Sequence, residues 1–98
     1  MSLRDELEQS LGPVQFSDLR AHIARGAVIV VDSSLDLLDV GEAIARDDKA
    51  VVGAWIELGR IGKPSLATLE RWSKLEGPAF MSLVVQPFVL VYEKAMAN

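Results

Sequence analysis

AVIVVDSSLDLLDVGEAIARDDKAVVGAWIELGRIG, residues 27–62, reads as strand, helix, acidic turn, helix and short strand. Ala27 to Val31 is five apolar residues, four of them β-branched, which suits a strand covered on both faces. Ser33 with Asp36 three residues on predicts a capping-box start. Leu37, Val40 and Ile44 then share one helical face, with Asp39, Glu42 and Arg46 on the other, and Glu42 and Arg46 suit an i,i+4 ion pair. Asp47 or Asp48 can cap the next helix, in which Val51, Trp55 and Leu58 are spaced for a core while Lys49, Gly53, Glu57 and Arg60 form the opposite face. Val52 and Ile56 widen the apolar stripe, which predicts an unusually buried helix.

This order of elements is that of a winged helix-turn-helix. Between Leu35 and Gly62, however, six acids (Asp36, Asp39, Glu42, Asp47, Asp48, Glu57) face three bases (Arg46, Lys49, Arg60), an excess of 6 − 3 = 3 negative charges. A recognition helix presents Arg, Lys, Asn or Gln to base edges and phosphates. The shape suggests DNA and the charge opposes it.

Working outward, Leu3, Leu7 and Leu11 share a helical face, and Gly12-Pro13 reads as its stop. Phe16-Ser17 looks like a hydrophobic residue before an N-cap, leading a helix that carries Leu19, Ile23 and half-buried His22 and ends at Gly26. Downstream, Ser65 caps a helix bearing Leu66, Leu69 and Trp72, closed by Gly77-Pro78. From Phe80 the period becomes two, with both faces mainly apolar. Pro87 cannot donate to a ladder, so it marks an edge, a bulge or a break between two strands. The expectation is an α+β, winged-helix-like fold of about five short helices with a small, mainly antiparallel sheet of three or four strands. Residues 1–14 form an N-terminal helix and linker, and residues 15–94 a single domain.

The chain has 98 residues, enough for one ordinary domain. It has no cysteine, which removes disulfides and thiolate metal sites. Arg4, Asp5, Glu6 and Glu8 oppose a signal peptide, and the apolar stretch from Ala79 to Tyr92 is interrupted and too short to cross a membrane as a helix. A cytoplasmic location is expected. The net charge of −4 repels phosphate backbones and anionic membranes alike. Half of the residues are hydrophobic and the mean hydropathy is +0.24, more apolar surface than one small core absorbs.

His22, the one histidine, reads as packing near Leu19 and Ile23, and no Ser/His/Asp arrangement accompanies it. There is no HExxH, no paired-histidine spacing and no EF-hand loop, so no metal site is expected. Asp47-Asp48 could act as paired carboxylates, but acids at a helix start more simply cap free N–H groups. Asp32, Asp36 and Asp39 form a second acidic group with the same default reading. Trp55 and Trp72 lie in register with core leucines. Gly59-Arg60-Ile61-Gly62 follows a helix instead of opening one, so it makes no phosphate cradle. Neither catalytic nor cofactor-binding residues are assigned.

Phe16 before the first core helix, Arg25-Gly26, Leu35-Asp36-Leu37, Trp55, Gly59 and the Pro87-to-Glu93 ending together resemble a family of small bacterial proteins catalogued as domain of unknown function 2288, over about Gln15 to Glu93. Tyr92 stands where that family leads one to expect glutamine. The resemblance implies a bacterial cytoplasmic setting and supplies no catalytic residue.

Three functions compete. The first is a non-enzymatic protein-interaction module that forms a homodimer, with Trp55, Val89, Val91 and Tyr92 as interaction residues and an unknown protein partner. The second is a winged-helix nucleic-acid binder, disfavoured because a dimer would carry a charge of 2 × (−4) = −8. The third is a small enzyme or ligand binder using His22 or the aspartates Asp32, Asp36 and Asp39.

Overall fold

The computed structural model describes residues 2–94. Its elements are α1 (Leu3–Glu8), β1 (Gly12–Val14), α2 (Phe16–Ala24), β2 (Val28–Val31), α3 (Leu37–Ala45), α4 (Lys49–Glu57), β3 (Ile61–Gly62), α5 (Leu66–Trp72), β4 (Phe80–Val85) and β5 (Phe88–Glu93). The five strands form one sheet in the order β1-β4-β5-β2-β3. β2 runs parallel to β5, and the other three pairings are antiparallel. The α+β class holds. The sheet has five strands where three or four were expected, because Gly12-Pro13-Val14 pairs with β4 instead of merely stopping a helix.

The apolar strand Val28–Val31 lies between β5 and β3 and is covered on both sides, as its composition requires. The run from Phe80 to Glu93 is two strands, broken at Gln86-Pro87. Val85 pairs with Phe88 and Leu83 with Leu90, leaving a two-residue turn whose Gln86–Pro87 bond is cis. That turn exchanges the faces. Met81, Leu83 and Val85 therefore share a face with Phe88, Leu90 and Tyr92, while Phe80 and Ser82 sit with Val91. A single uninterrupted alternation through Pro87 would have placed Phe80 and Leu90 together.

One core joins Leu83, Val85 and Leu90 to Leu7 of α1 and to Leu37, Leu38 and Val40 of α3, with Val52 and Trp55 of α4 packed at its margin. The other joins Val28, Phe80, Val89 and Val91 to Leu19 of α2 and Trp72 of α5. The Trp72 and Phe80 rings meet edge to face with centroids 4.8 Å apart. A sheet sandwiched between two helical layers is not a winged-helix arrangement, in which the helices gather on one side. The N-terminal segment forms the expected helix as α1 and then β1, which pairs with β4. α1 contributes Leu7 to the core, and Arg4 reaches Glu42 at 2.8 Å, Asp39 at 3.0 Å and Asp36 at 3.7 Å, fastening α1 to α3.

Three helices stop in the same way. α2 and α4 place Gly26 and Gly59 in the left-handed region, and the following amides reach back to His22 O and Trp55 O at 2.9 and 2.8 Å. α3 uses Asp47 at φ 57°, with Asp48 N bonded to Ala43 O at 2.9 Å. At the helix starts, Asp36 caps α3 by accepting from Leu38 N at 2.7 Å, so the cap lies three residues after the expected Ser33. α2 begins at Phe16, where Asp18 accepts from Gln15 N.

α3 crosses the sheet closely at Gly41, where an added Cβ would lie 2.6 Å from Cδ2 of Leu83, itself fully buried. Gly41→Ala is expected to destabilise, because overpacking costs about 1–3 kcal/mol and outweighs the gain of roughly 1 kcal/mol in helix propensity. A fall in the thermal midpoint by several degrees is the readout.

On the opposite face, Arg71 of α5 pairs with Glu93 of β5. The hydrogen-bonded guanidinium holds the Glu93 carboxyl below its ordinary range, against the opposing effect of partial burial. Since the folded-state pKa is depressed, the stability this pair adds is complete above the unfolded value of 4.5 and is lost as pH falls through the folded value. Glu93→Gln should remove that increment, at most about 1 kcal/mol for a pair this exposed. Urea melts from neutral to acidic pH should show a shallower acid loss in the variant.

Candidate functional site

α4 follows directly from α3 through Asp47 and Asp48, which divide the work of the junction. Asp47 turns the chain out of α3, and Asp48 caps α4 by accepting from Val51 N at 3.3 Å. Of the two alternatives for the cap, Asp48 is the residue used. The helix that follows, KAVVGAWIE, is strongly apolar, yet none of its residues is fully buried. Val51 is 39% exposed, Ile56 57% and the capping residue Leu58 68%. The expectation of an unusually buried helix is overturned.

The reason lies in helical geometry. At about 100° per residue, Val52 and Trp55 fall close together and take the core-facing side. Val51 and Leu58 then lie on one flank, Lys49 and Ile56 on the other, and Ala50, Gly53, Ala54 and Glu57 point outward. A nine-residue helix resting on one surface can bury only one such side. Val51, Val52, Trp55, Ile56 and Leu58 together span an arc of about 160°, wider than the one side that the core covers.

On the Lys49–Ile56 flank, a cavity of about 440 Å³ opens between the helix and the sheet. Its apolar lining is Ile29, Ile44, Val52, Ile56, Ile61 and Phe88, and its polar lining is Asp47, Asp48, Lys49 and Lys63. Lys49 lies 3.8 Å from Asp47. Such a lining receives apolar groups, and it contains neither histidine nor hydroxyl nucleophile. Nothing in the sequence marked it, because its walls come from five separate segments.

The residues expected to mediate association are divided by the structure. Val89 is 5% exposed and Val91 is completely buried, both held beneath α2 and α5 within a single chain. They face inward and offer no surface to a partner. Trp55 and Tyr92 are half-buried at the margin of the other core, and Trp55 lies on the helix that carries the exposed apolar residues.

The candidate catalytic residues are not brought together. His22 sits on α2, on the opposite side of the sheet from α3, and its Nδ1 lies 2.6 Å from the Arg25 guanidinium, which donates to it. Asp36 caps α3 and Asp39 binds Arg4, while Asp32 accepts from Ser34 N at 3.1 Å in a local turn. Among the described residues, no group of three or more His, Asp or Glu side chains is placed to hold a metal ion. The buried indole N–H of Trp72 has no hydrogen-bond partner among the described residues.

The Asp47 junction is testable. A non-glycine residue in the left-handed region carries a cost that glycine avoids. Asp47→Gly should raise stability by about 1 kcal/mol, seen as a higher midpoint in thermal melts.

No helix among the described residues is long and apolar enough to cross a membrane. No protein of curated function matches the chain. A solution structure of PA1075 from Pseudomonas aeruginosa is similar over the whole chain and 91% of its own length, at 30% identity and a TM-score of 0.83. The sandwich of helices on a five-stranded mixed sheet is thus seen together with a sequence pattern running from residue 2 to residue 93. By that pattern the chain belongs to the family described as Protein of unknown function (DUF2288).

Proposed function

We propose that this protein is a non-enzymatic interaction module of the bacterial cytoplasm that self-associates through α4. The observation that carries the reading is a strongly apolar helix with no fully buried residue, bearing Val51, Ile56 and Leu58 in solvent. Burying Ile56 and Leu58 from two copies recovers about 1.5–3 kcal/mol per side chain at full burial. Four such side chains supply an amount on the scale of the roughly 4–15 kcal/mol that association costs. The expected outcome is a moderate, concentration-dependent homodimer.

The surface also speaks against the competing partners. The acids of α3 and α4 outnumber their bases, which disfavours a phosphate backbone. A ligand-binding role is the second reading, favoured by the cavity beside α4 and not by the aspartates, which are engaged in caps and ion pairs.

Sedimentation velocity across the micromolar range is the test. The wild-type chain should show a dimer that grows with concentration, and Ile56→Glu or Leu58→Glu should return it to monomer with an unchanged circular dichroism spectrum. A wild-type chain that stays monomeric at about 100 μM, a concentration at which a micromolar dimer is well populated, would sink the reading.

A further inference from the structure

Resting on that reading, we infer that the two copies meet through antiparallel α4 helices related by a two-fold axis near Gly53 and Ala54. The observations are the exposed apolar flanks of α4, the open space over Gly53, and the unpaired charge of Glu57. An added Cβ at Gly53 meets nothing within 4 Å, so the outward face lies open to a second helix there. Glu57 is exposed and has no ion-pair partner among the described residues.

A two-fold axis at that point sets Gly53 opposite the partner's Ala54 and Ala50 opposite the partner's Glu57. The axis of an antiparallel pair is perpendicular to the plane of the two helices, so each flank meets the same flank of the other copy. On one side Val51 packs against the partner's Leu58. On the other, Ile56 packs against the alkyl stem of the partner's Lys49, whose ammonium reaches Glu57. Among the described residues of one chain Lys49 has only Asp47, at 3.8 Å and with both side chains more than three-quarters exposed. Each copy thus gives the other a counter-ion, and the opposed helix dipoles add to the attraction.

The inference is tested by charge exchange and by cross-linking. Lys49→Glu and Glu57→Lys should each weaken the dimer about tenfold by setting like charges together, and the double variant should recover most of the loss. The chain has no native cysteine, so single introductions give clean products. Ala54→Cys should form a disulfide dimer readily, and Leu66→Cys, on an exposed residue of α5, should not. If the wild type sediments as a dimer but the double variant is no better than the singles and Ala54→Cys fails to cross-link, the helix pairing is wrong while self-association stands. A monomeric wild type removes both.

Discussion

Everything in this molecule follows from the need to cover both faces of a sheet whose central strands have no polar side. β2 and β5 pair in parallel, and each presents apolar side chains alternately to two cores. Such strands are stable only when both surfaces are removed from water. The helices divide accordingly, with α1, α3 and α4 on one face and α2 and α5 on the other. α3 lies so close to the sheet that Gly41 has no room for a methyl group. α1 is held beside it by Arg4 among three carboxylates. Once those two helices are in place, α4 reaches the core only at its margin. Its remaining apolar surface is the excess that the composition already implied.

The parts of this fold that are legible in the sequence depend on local signals. Val28–Val31 is a β-branched run, Gly26 and Gly59 end helices, Ser65 caps one, and Trp72 keeps a helical register with Leu69. The parts that are not legible depend on partners distant in the chain. Gly12-Pro13-Val14 becomes a strand only because β4, about seventy residues later, offers its edge. The exchange of faces at Gln86-Pro87 is a matter of turn length, and a two-residue turn leaves no gap in the apolar pattern. Val89 and Val91 are legible as strand residues, but their cover by α2 and α5 depends on those distant helices.

The same limit governs the candidate site. Periodicity identifies α4 as a helix and shows that its apolar residues exceed one face, but it cannot say which face the rest of the chain will cover. The order of strand, helix, turn and helix imitates a nucleic-acid reader until the sheet is seen to lie between two helical layers. The acids that argued against DNA serve mainly as internal fittings. Asp36 and Asp48 satisfy amides, Asp39 and Glu42 hold Arg4, and Glu42 also meets Arg46.

The two borders of the sheet have a consequence for how copies of this protein can add to one another. β1 is three residues long with Pro13 at its centre, and β3 is two residues long with Pro64 two positions beyond its end. Neither border offers an incoming strand a continuous row of free amides and carbonyls, which is how many β-rich proteins guard against edge-to-edge growth. The greasy composition of the chain therefore finds no route to fibres along the borders of this sheet.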